Sequence, residues 1–138
     1  MSGDRRQRTR SGAAGVELRL WAVRGAIKAR ANDPGAVVKA TEELMRELMN
    51  RNDLGPERMV SCIFTSTHDL NAEFPAVAAR NLGLEAVPLL CAREIDVPGA
   101  MPSVIRTLVH YYASGNHTPA HTYIGEAQKL RSDLHAAQ

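Results

Sequence analysis

The chain reads as an α+β domain: a five-stranded mixed sheet packed on one long helix and one short helix. Three observations predict this. Short runs rich in apolar and β-branched residues recur along the chain. A single long segment carries helical periodicity, and Gly and Pro punctuate the junctions. The resulting order is β-α-β-α-β-β-β, and two helices cannot cover both faces of such a sheet. The uncovered face calls for another subunit, so the architecture alone predicts an oligomer.

The elements follow in order. Residues 16–24, "VELRLWAVR", begin with apolar/polar alternation and read as a strand, with "GAIKARAN" as a connection. Asp33-Pro34 supplies an N-cap and a first-turn proline for a helix to about Arg51. Val37, Val38, Thr41, Leu44, Met45, Leu48 and Met49 fall on one of its faces; Glu42, Glu43, Arg46 and Glu47 fall on the other. Gly55-Pro56 ends that segment. "MVSCIFTST" (59–67) is nearly all apolar and reads as a central strand. "HDLNAEFPAVAARNLGL" is a short helical passage limited by Pro75. Residues 85–94 and 103–113 read as two more strands, and 120–130 as a fifth.

Length and composition bound the rest. The 138 residues fit one domain (16–138) burying about two-thirds of its unfolded surface. Aromatic residues are only 4%, so the core must be aliphatic. The net charge of +2 conceals an asymmetry. Residues 1–15 hold Arg5, Arg6, Arg8 and Arg10 against Asp4. That leaves 13 of the 17 basic and 14 of the 15 acidic side chains for the remainder, which is close to neutral. The arm reads as disordered and basic, and nucleic acid is not an expected partner. No secretory signal or membrane span is expected, and Cys62 and Cys91 read as reduced thiols of a cytoplasmic protein.

Three charges stand out because apolar sequence flanks each. They are Arg24 at the end of the first strand ("WAVRGAI"), Glu94 at the end of the third ("LLCARE") and Arg106 inside the fourth ("SVIRTL"). A charge drawn into such surroundings must be paired or hold a ligand. A plain core salt bridge would satisfy them equally. Other chemistries fit less well. His117 and His121 have helical metal-pair spacing, but Pro119 lies between them, so no metal is expected. Cys91 carries no nucleophile signature, and His68-Asp69 suits a capping turn. Arginines without a nucleophile suit recognition of a carboxylate, whose geometry matches the guanidinium fork.

"VRGAI", "HDLNAEFPAVAAR", "VPLLCAREIDVPGAMPSVIR" and "HTYIGEAQKLRSDL" occur here in a characteristic order and spacing. In this the chain resembles the monofunctional bacterial chorismate mutases of the trimeric, non-helical type, over about residues 17–135. The resemblance implies an isomerase converting chorismate to prephenate by a [3,3] rearrangement, without cofactor, in a barrel-like homotrimer with pockets between subunits. It further implies that Arg106 faces the ether oxygen, Arg24 binds a carboxylate and Glu94 accepts the ring hydroxyl, with Cys91 beside it. Tyr123 would donate to a carboxylate, Phe74 and Leu130 would wall the pocket, and Arg80 and Arg131 would close over the ligand. Ser132, where proline is common in the family, and the polar pair Gln128-Lys129 depart from the pattern. Two alternatives remain at this point: a trimeric imine/enamine deaminase-like enzyme, and a non-catalytic trimer binding a small carboxylic acid.

Overall fold

The structure is a computed structural model that describes residues 17–131. The basic arm and Ser132 therefore lie outside the described residues. The elements are β1 (Leu18–Lys28), α1 (Pro34–Arg51), β2 (Met59–Ser66), α2 (Ala76–Asn81), β3 (Leu89–Arg93), β4 (Val104–Ser114) and β5 (Thr122–Tyr123). Short 3-10 turns occupy Pro56–Arg58 and Gly125–Gln128. The predicted order of strands and helices is the observed one. The five strands form one sheet in the order β3-β2-β4-β1-β5. β4 runs antiparallel to both β1 and β2, while β2–β3 and β1–β5 are parallel.

Helix α1 begins where the sequence places it. The Asp33 side chain accepts the Ala36 N–H at 2.8 Å, and Pro34 opens the first turn. Its buried face is Val37, Ala40, Thr41, Leu44, Met45 and Leu48. That face packs on Val23 and Ile27 of β1, Cys62 and Phe64 of β2, and Ile105, Val109 and Tyr111 of β4. Alanines 76 and 79 of α2 join the same layer. Both helices thus lie on one side of the sheet. Burial pushes the Cys62 thiol up to about 11, so it is a protonated core residue rather than a nucleophile at neutral pH.

Five sequence expectations are corrected. β1 does not stop at Arg24 but continues to Lys28, because Gly25 is a packing site rather than a breaker. A Cβ there would lie 2.9 Å from the Thr122 carbonyl and 3.0 Å from Leu44 Cδ1. β3 starts only at Leu89. Pro75 does not cut a helix short from within; it precedes α2 at its N-cap. The fifth strand shrinks from 120–130 to Thr122–Tyr123. Gly125 then takes a φ of +60°, and the chain coils into the 3-10 turn. Asp69 is also no helix cap: it accepts the Ser103 hydroxyl at 3.0 Å and ties two loops together.

Among the described residues the opposite face of the sheet is covered only at one end. There Ala127 and Leu130, from the segment after β5, pack with Ala26, Val104 and Tyr123. Elsewhere it presents Leu20, Leu90 and Tyr112, which are 52%, 61% and 45% exposed. Among the described residues no helix is long and apolar enough to cross a membrane.

Candidate active site

Side chains alternate between sheet faces, so strand register decides which residues meet. On the face away from the helices the register aligns one row across all five strands. Tyr123 pairs with Ala26, Ala26 with Arg106, Arg106 with Thr65, and Thr65 with Ala92. Arg24 sits beside Leu108 on the same face, two residues back along β1 from Ala26. Arg24, Ile63, Thr65, Arg106, Leu108 and Tyr123 line a cleft of about 290 Å³.

Glu94 lies just past β3, held by its N–H to the Ser66 carbonyl at 3.0 Å. Its Oε2 accepts Arg106 Nε at 2.8 Å and the Thr65 hydroxyl at 2.7 Å. The pair is partly withdrawn from water, with side chains 36% and 16% exposed. Two donors on one carboxylate oxygen fix the rotation of both side chains. The guanidinium is therefore immobilised at the floor of the cleft. Thr65 is a participant that sequence reasoning missed. Its hydroxyl is one of three in β2, with Ser61 and Ser66, and nothing local sets it apart.

Arg24 is anchored through its backbone. Its N–H donates to Nδ1 of His121 at 3.1 Å. Sequence reasoning weighed His121 only as a metal ligand. Among the described residues no group of three His, Cys, Asp or Glu side chains could hold a metal ion.

The structure does not bring every expected residue to this cleft. Phe74, 67% exposed, and Cys91 line a separate cleft of about 360 Å³ beside α2, with Ser66, Leu70 and Pro75. Cys91 faces the side of the sheet that Phe64 occupies, because the two are register partners. Arg80 is exposed on α2. Leu130 is 8% exposed, buried in the cluster around Tyr123 rather than walling the cleft. Arg131 is exposed at the last described position.

The arrangement has fixed cations, a fixed acceptor and a phenol, and the Thr65 hydroxyl beside the Glu94 carboxylate is engaged in holding that carboxylate in place. Such a site can bind an anion and stabilise charge without forming a covalent bond to it. Comparison with known proteins decides among the reactions this permits. The family model described as chorismate mutase type I matches residues 20–134. This chain belongs to the type I chorismate mutase family. Chorismate mutase AroH of Thermus thermophilus is 43% identical over 121 residues, spanning 84% of this chain and 97% of that protein. Chorismate mutase AroH of Bacillus subtilis (strain 168) is 31% identical over 119 residues, spanning 85% and 94%. The structure of the chorismate mutase from Clostridium thermocellum superposes with a TM-score of 0.75 at 38% identity, covering 80% of this chain and 99% of that one. Membership in the chorismate mutase family makes the chain an isomerase, and the deaminase-like reading is not supported.

Proposed function

We propose that this cleft is where the chain carries out the chorismate mutase reaction of aromatic amino acid biosynthesis, turning chorismate into prephenate. The observation that carries the assignment is the Arg106–Glu94 pair, held at 2.8 Å in the central row of the face away from the helices. The rearrangement is pericyclic and needs no nucleophile, base or metal. As the C–O bond breaks, the ether oxygen gains negative charge. A cation locked beside that oxygen binds the transition state more tightly than the substrate, which is what accelerates the step.

In this reading Arg106 directs its remaining N–H donors at the ether oxygen while Nε stays on Glu94. Glu94 accepts the ring hydroxyl, and Arg24 and Tyr123 hold carboxylates. A cleft of about 290 Å³ lies at the lower limit of small-molecule pockets. Phe74 and Arg80 sit beyond it in the same chain. A neighbouring subunit of a trimer, seated on the open face with Leu20, Leu90 and Tyr112, would bring its own Phe74, Cys91 and Arg80 over the ligand. Leu130 acts from behind Tyr123, and Arg131 closes the rim. Both cysteines are free, which suits work in the cytoplasm.

The decisive experiment incubates purified protein with chorismate, following its loss by absorbance and prephenate by chromatography. Turnover far above the uncatalysed rate is expected; a rate equal to background would refute the assignment. Arg80→Ala should raise KM roughly 10- to 100-fold with a smaller change in kcat, the loss expected for one charge-assisted hydrogen bond to a carboxylate. A collapse of kcat at unchanged KM would contradict the role given to Arg80.

A further inference from the structure

The backbone of Arg24 is held in an unusual way. β5 pairs with β1 only at Gly25↔Thr122 and Ala26↔Tyr123. One residue earlier the ladder has run out, and the imidazole of His121 stands where a strand carbonyl would be. Its Nδ1 receives the Arg24 N–H at 3.1 Å. A backbone N–H can only donate, so this nitrogen must be the unprotonated one and the ring proton must sit on Nε2. The ring is itself placed from the far end of α1. The buried side chain of Asn52, at the C-cap, donates to the Ala120 carbonyl at 3.1 Å and accepts the Ala120 N–H at 2.8 Å. Thr122 Oγ1 donates to that same carbonyl at 3.0 Å. The residues on either side of His121 are thereby clamped, which fixes the backbone from which the imidazole reaches the Arg24 N–H.

We infer that His121 is a positioning residue for substrate binding: through Nδ1 it holds the Arg24 backbone, and with it the carboxylate-binding guanidinium, at the edge of the cleft. This rests on the assignment of Arg24 to a substrate carboxylate. Protonation would undo the arrangement in two ways. It puts a hydrogen on the nitrogen that must accept, and it adds a third positive charge beside the two that face the ring, Arg24 of β1 and Arg131 beyond the 3-10 turn. Burial first, then those two guanidinium groups, lower the pKa of His121 from its ordinary 6.5. The sign is therefore fixed. The native state favours the neutral ring, the arrangement is intact above the ordinary histidine range, and it is lost as pH falls through the lowered native value.

The test combines a pH profile with two substitutions. For the wild-type enzyme, KM for chorismate should stay flat from pH 8 down through the ordinary histidine range and climb only below it, as pH approaches the lowered native value, with kcat changing less. The substrate's carboxylates titrate well below this window, in the ordinary range near 4. His121→Asn offers an amide oxygen where Nδ1 stood and does not titrate. It should keep KM near wild type at neutral pH and remove the acid rise. His121→Leu should raise KM roughly fivefold or more at neutral pH, as expected for one lost hydrogen bond, and show no acid rise of its own, so that the wild type approaches it at low pH. A wild-type KM independent of pH, or His121→Leu indistinguishable from wild type at neutral pH, would overturn the inference. So would His121→Asn behaving like His121→Leu at neutral pH, because packing of the ring would then be its role. Should the leucine variant misfold, the wild-type profile and the asparagine variant still decide. Nitrogen-15 shifts of the imidazole provide a readout independent of turnover: a protonated Nδ1 at pH 8 refutes the geometry. Absence of any prephenate from the wild type would instead sink the functional assignment, while the ring shifts still report on His121.

Discussion

Arg106→Lys is expected to lower kcat by roughly 100- to 1,000-fold while leaving secondary structure and melting temperature close to wild type. The planar fork of Arg106 commits Nε to Glu94 at 2.8 Å and can present further donors in a fixed direction. A lysine offers one charged nitrogen on a flexible stem. If that nitrogen stays on Glu94, the charge is drawn away from the ether oxygen; if it reaches the oxygen, the Glu94 contact is lost. Either way the preorganised field is gone, at a cost of about 3–4 kcal/mol in the barrier. The backbone should tolerate the change, because the side chain lies on the open face and leaves the helix-side core untouched. Steady-state kinetics with circular dichroism as the folding control checks this. A rate within a few-fold of wild type would remove Arg106 from the chemistry.

Gly25→Val is expected to produce the largest loss of stability, about 3 kcal/mol, lowering the melting temperature by roughly 10 °C. The reason is space rather than backbone freedom. Even a Cβ at this position would lie 2.9 Å from the Thr122 carbonyl, 3.0 Å from Leu44 Cδ1 and 3.2 Å from Leu48 Cδ1. Valine adds two methyl groups in the same place. The leucines can shift by rotation, but the carbonyl belongs to the two-residue strand that carries Tyr123. Displacing it moves β5 off β1, disturbs the His121–Arg24 contact and loosens the cluster of Ala26, Tyr123 and Leu130. Activity should therefore fall along with stability. A melting temperature within a degree or two of wild type would show that the approach of β5 to β1 is not the constraint described.

That glycine also shows where local sequence reasoning fails. In "WAVRGAIK" it reads as the end of a strand, because a missing side chain and a turn look alike in one dimension. Only the presence of α1 and β5 on its two flanks distinguishes them. The last strand failed for a related reason. "AHTYIGEAQKL" has weak alternation, and what ends the pairing is the left-handed turn at Gly125, set by how the chain folds back over Ala26. By contrast α1 was legible to within a residue. Its cap, its opening proline and its apolar stripe are all local, and each is enforced by hydrogen bonds within a few positions of itself.

The candidate site divides the same way. That Arg24, Glu94 and Arg106 are unusual was legible, since a charge embedded in apolar sequence must be compensated somewhere. Thr65 was not legible, and Phe74, Cys91 and Leu130 could not be distributed among clefts from the chain alone. Composition and spacing determined which segments become strands, where the helix begins and which charges demand partners. Register decided that Arg106, Thr65 and Glu94 meet on the face opposite the helices. Side chains change face every residue, so a strand's polar set has no location until its neighbour is aligned. That alignment is set by the helix-side packing of Val23, Cys62 and Val109, residues distant from one another in sequence.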